Sequence, residues 1–159
     1  MHWDIQFCTF VFLNKKDMFS ATHFHPMMVH FPIAIIIIGF LADLAGVFFR
    51  KDKCLTKMGY WLEIVGMITA ILAFGTGYFF TNPMEGEAGL AREQHEFFAT
   101  FTLITIILAT LFRIVINYLK KEESNLKYLS LGLFFLGFVF VSITGYLGGT
   151  LVLDYMIGM

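Results

Sequence analysis

Three histidines, His23, His25 and His30, crowd the stretch HFHPMMVHFP, and a fourth, His95, follows much later in the chain. Imidazole is the side chain best suited to bind a metal or exchange a proton near neutral pH. His30 and His95 each stand at the head of a long apolar run, Phe31 to Phe49 and Phe97 to Leu119. Two imidazoles presented from two helices at one depth are an axial ligand set for haem b, and glycines on the facing helices leave room for a flat macrocycle. The expected cofactor site is therefore His30 and His95 on the haem iron, Gly77 and Gly145 on the intervening helices, and Arg92, whose guanidinium suits a propionate. His25 belongs to its rim. His25 and His30 are five residues apart, about 140° around a helix, so both cannot face one small ligand directly. Pro26 suits the first turn of a helix, which makes His25 an expected N-cap.

Two other readings of the same residues stand beside haem. His23, His25, Met27 and Met28 with His95 offer imidazole and thioether donors of the kind copper favours, and zinc is the other metal of this reading. Without any metal, His30 and His95 would cap helices, hydrogen-bond across the bundle and face interfacial water.

A second constellation is made of charge. Asp43, Glu63 and Arg113 each interrupt an apolar run, six or seven residues from a basic boundary at Arg50, Lys57 and Lys120. That places them at matching depths of roughly 9 to 10 Å. Charges inside a membrane face the interior of a bundle and pair, because lipid cannot solvate them. An ion cluster that holds helices together is the first expectation and a proton or ion pathway the second.

The elements that must position these groups are transmembrane helices. The chain has 159 residues, 58% of them hydrophobic, and a mean hydropathy of +0.75, far above the soluble norm. Four runs, 31–49, 59–80, 97–119 and 128–153, approach or exceed the roughly 20 apolar residues that cross a hydrocarbon core. The expected fold is all-α, an integral membrane four-helix bundle over residues 25–159, preceded by a short segment 1–24. Trp3 to Leu13 has no basic residues before it and no A-x-A-like site after it, a poor signal peptide, and Met18 is an alternative initiator.

Eight of the eleven Lys and Arg residues lie at or near the loops RKDKCLTK and KKEESNLK, while TNPMEGEAGLAREQH has only Arg92. The positive-inside rule then puts both basic loops in the cytoplasm and both termini outside, which locates the histidines at the periplasmic face of an inner membrane. The net charge is −1 and no basic stripe appears, which argues against nucleic-acid binding. Cys8 and Cys54 fall on opposite sides of the membrane, so neither an internal disulfide nor a thiolate site is expected. No GxSxG, HExxH or Walker loop occurs, and independent enzymatic turnover has no support.

The halves echo one another. Thr76-Gly77-Tyr78 ends the second run and Thr144-Gly145-Tyr146 recurs in the fourth, 46 residues after His30 and 49 after His95. This predicts two repeated helical hairpins with His30 equivalent to His95.

The motif His25-Pro26-Met27-Met28-Val29-His30-Phe31-Pro32 resembles the HPxxVHFP signature of a bacterial four-helix membrane family, domain of unknown function 2231, and Gly145-Tyr146-Leu147-Gly148-Gly149-Thr150-Leu151-Val152 resembles its GYLGGxLV stretch. Where that family commonly carries a basic residue or histidine after LV, this chain has Leu153-Asp154-Tyr155. The resemblance implies a membrane bundle and, through relatives joined to cytochrome c or Rieske domains, redox work. The expected function is thus electron transfer through haem b, with the lipid bilayer as medium and cytochrome c, Rieske-type or quinone partners. A haem-free structural or assembly subunit of a larger complex, and a small proton- or metal-handling transporter, are the alternatives.

Overall fold

The computed structural model describes residues 24–49, 53–81, 83–121 and 125–155, and these form an up-and-down bundle of four long helices. They are α1 (Phe24–Phe48), α2 (Lys53–Phe80), α3 (Gly86–Tyr118) and α4 (Leu126–Thr150), the last continuing into a π-helical turn, Leu151–Tyr155. All four are long and apolar enough to cross a membrane. α1 packs against α2 and α4, and α3 against the same two, so α1 and α3 lie on a diagonal. Segment 1–23, with His23, Met18 and Cys8, lies outside the described residues.

The sequence dictates this packing through a heptad of small and apolar residues. Buried positions run Gly59, Glu63, Gly66, Ala70, Ala73 along α2 and Ser130, Phe134, Gly137, Val141 along α4. In α3 they include Thr102, Ile106, Ala109, Arg113 and Ile116. Alternating steps of four and three keep one seam turned inward, the pattern of left-handed helix bundles. Off the seam the membrane-spanning surface is largely apolar, as a lipid-facing surface requires, with exposed Phe31, Ile38, Leu41, Ile68, Leu108 and Leu129 as examples.

α1 and α2 approach most closely. A Cβ on Gly59 would lie 3.1 Å from the Asp43 backbone nitrogen and one on Gly46 would lie 3.1 Å from that of Thr56. Backbone cannot yield as a side-chain tip can, so only glycine permits this approach, the small-residue solution common to membrane helices. Midway along the bundle Ile36, Phe40, Ala70, Ile106, Phe134 and Val141 form an apolar core. It separates a histidine end, where α1 and α3 begin, from a basic end at the α1–α2 and α3–α4 connections.

Two hairpins do repeat, but in a different register from the one that the TGY tripeptides suggest. Asp43 and Arg113, 70 positions apart, pair across the diagonal, and His25 and His95, also 70 apart, have neighbouring rings. α2 maps onto α4 with an offset of 71: Gly59 onto Ser130, Gly66 onto Gly137, Ala70 onto Val141, Ala73 onto Thr144 and Gly77 onto Gly148. The equivalence is physical, since a Cβ on Gly77 would lie 3.0 Å from the His25 ring and one on Gly148 would lie 3.1 Å from the His95 ring. Thr76-Gly77-Tyr78 and Thr144-Gly145-Tyr146 are displaced by three residues in this mapping, nearly one helical turn. Residues that meet their own counterparts lie beside the pseudo-two-fold axis, as His25 with His95 and Asp43 with Arg113 do.

Candidate functional site: a histidine pair and a buried ion cluster

At the histidine end, the side chain of α1 that meets His95 is His25. The two ring centres are 6.4 Å apart with the planes at 76°. His25 lies within α1 rather than capping it, which replaces the N-cap reading, and its side chain reaches across to α2. Its Nδ1 lies 3.1 Å from the Ala73 carbonyl oxygen and 3.0 Å from Thr76 Oγ1, while Thr76 Oγ1 donates to the same carbonyl at 2.7 Å. His95 makes the corresponding bond, with Nδ1 3.2 Å from the Thr144 carbonyl oxygen. The Thr144 hydroxyl lies 2.9 Å from that of Thr102, one seam position deeper.

These bonds determine the tautomer. A carbonyl oxygen only accepts, so each Nδ1 carries the hydrogen, and in the neutral ring each Nε2 keeps its lone pair. Metal-binding histidines are held in this way, with the far nitrogen donating to a carbonyl or carboxylate that orients the ring.

His30 is exposed, on the same stripe as Ala34, Ile38 and Leu41. The 140° between His25 and His30 turns one of them away whenever the other points inward. Seam spacing selects His25, because counting sevens back from Gly46 passes Gly39 and Pro32 and lands on His25. On α3 the same count links Ile116, Ala109, Thr102 and His95. Gly145 faces Ile33 of α1 rather than a histidine, its Cβ position being 3.2 Å from Ile33 Cδ1. The glycine beside His95 is Gly148, which tripeptide matching missed and the offset of 71 finds. Arg92 lies three residues before His95 and donates from Nε to Glu96 Oε1 at 2.7 Å. Met27 is 63% exposed, and among the described residues no three His, Cys, Asp or Glu side chains gather around one point.

At the basic end Arg113 and Asp43 form a bidentate pair, with Nη1 bonded to Asp43 Oδ2 and Nη2 to Oδ1 at 2.8 Å. Both residues are buried. Two parallel N–H bonds to one carboxylate are the strongest arrangement available to such a pair. Glu63, fully buried, approaches the same guanidinium only to 3.9 Å, too far for a hydrogen bond. Neither of its carboxyl oxygens has a hydrogen-bond partner among the described residues.

A diagonal pair of imidazoles at one end, a buried ion cluster at the other and an apolar core between them define a four-helix membrane bundle with two separate polar sites. The chain belongs to the family of predicted membrane proteins designated domain of unknown function 2231, which matches residues 21–159. No curated protein and no solved structure matches it.

Proposed function

We propose that this bundle binds haem b between His25 and His95 and carries electrons at its histidine end. The observation that supports this most is the neighbouring pair itself, with each Nδ1 tied to a carbonyl. Their ring centres lie 6.4 Å apart, so both imidazoles would hold one iron. The diagonal would supply both histidine ligands, and α2 and α4 flank them with Gly77 and Gly148, which place no side chain beside the rings. Haem needs only these two protein ligands, whereas a zinc or copper centre draws three or four. Arg92, near the rim, has the charge to meet a propionate.

Bound haem would supply a one-electron couple between ferric and ferrous iron. The chain's own residues hold the two rings in one tautomer, keep the site within a few turns of the helix ends and seal it from the far side with the apolar core. By loop charge the histidine end is periplasmic in an inner membrane, so a periplasmic cytochrome c, a Rieske-type domain or a quinone would exchange electrons there. The protein purified in mild detergent after expression with ample haem should show, when reduced, the sharp α and β bands of low-spin bis-imidazole iron. A colourless preparation that takes up no haem on titration would leave the haem-free assembly subunit as the reading.

A further inference from the structure

We propose that Glu63 is a proton-binding site, its carboxyl held neutral in the folded bundle by a surrounding whose described residues provide one counter-charge for two acids. Among the described residues the charged groups that face it are Asp43 of α1 and Arg113 of α3, which are joined through two parallel bonds. Among the described residues α4 contributes no charged side chain to the buried seam, only Ser130, fully buried and there without a hydrogen-bond partner for its hydroxyl. The antiparallel register sets Ser130 level with Arg113, because a Cβ on Gly148 meets His95 at one end of α4 while Gly137 meets Ile106 midway. A second ionised carboxylate here would leave the cluster with a net negative charge in a medium that cannot solvate it, and such a group takes a proton instead.

Under the offset of 71 the counterpart of Glu63 is Phe134, also fully buried, so the second hairpin places no acid at this position. Glu63 and Gly59 approach α1 from one seam, and Gly39 lies against Leu62, which places Glu63 about one turn nearer the bundle centre than Asp43. The ligand is a single proton. The apolar core of Ile36, Phe40, Ile106 and Phe134 lies between this site and the histidine pair, so the proton belongs to the basic end.

The test is infrared spectroscopy of the full chain in lipid nanodiscs at neutral pH. A neutral carboxylic acid has a C=O stretch well separated from carboxylate bands and shifted by deuterium. One such band per chain is expected, lost in Glu63→Gln. Carbon-13 glutamate labelling should move it and carbon-13 aspartate labelling should not, a readout that stands even if the variant does not fold. Absence of the band, its shift by labelled aspartate, or its appearance only when sodium is withheld would overturn the proposal, the last by identifying a metal cation as the neutralising ligand.

Discussion

Replacing Arg113 with leucine removes the guanidinium that holds Asp43 by two parallel bonds inside the bundle. Leucine fills part of the volume, so the chief loss is electrostatic. An ionised Asp43 without a partner at about 1% exposure belongs to the class of broken buried pairs that cost roughly 3–5 kcal/mol. The loss at neutral pH should therefore be about 4 kcal/mol. Adding Asp43→Asn should restore more than half of the loss, since no unpaired charge then remains. The assay is reversible unfolding from mild detergent by dodecyl sulfate titration, followed by helical circular dichroism at neutral pH. A loss under about 1 kcal/mol, or a double variant as unstable as the two single losses added together, would refute the argument, since contacting residues must couple.

The glycines beside the histidines should be sensitive to single methyl groups. Gly77→Ala puts a Cβ 3.0 Å from His25 Cε1, and Gly148→Ala puts one 3.1 Å from His95 Cε1, so each should turn a ring and weaken haem binding in titrations. Gly132→Ala meets nothing within 4 Å and should leave binding unchanged. For orientation, a cysteine at exposed Glu87 in a background without native cysteines should react with an impermeant maleimide on intact cells, whereas native exposed Cys54 should react only after the membrane is broken.

The four helices are legible because hydropathy reports the lipid-crossing core of each directly. Their true starts are not: α3 begins at Gly86 rather than near Phe97, because its first turns, with Glu87, Arg92, Glu93 and Glu96, are polar and escape a hydropathy criterion. The association of Asp43, Glu63 and Arg113 is readable for a physical reason, since lipid forces intramembrane charges onto the inward face. Which histidine points inward is harder. It depends on the rotation of α1 about its own axis, and the motif HPMMVHFP treats both histidines alike. The rotation is recorded farther down the helix, in Gly39, Ala42, Asp43 and Gly46. The repeat register was obscured by the same kind of local coincidence, a tripeptide recurring three residues out of phase, while the seam pattern repeats throughout each hairpin.

The most direct test of the haem proposal is the reduced absorption spectrum of three alanine variants purified alongside the wild type. His25→Ala and His95→Ala should each lose the low-spin α and β bands, because each removes an imidazole that would hold the iron, and His30→Ala should keep them, because its side chain faces outward. Loss of the bands in His30→Ala with retention in His25→Ala would contradict the ligand pair. Wild-type protein that stays colourless after titration with haem would contradict the function.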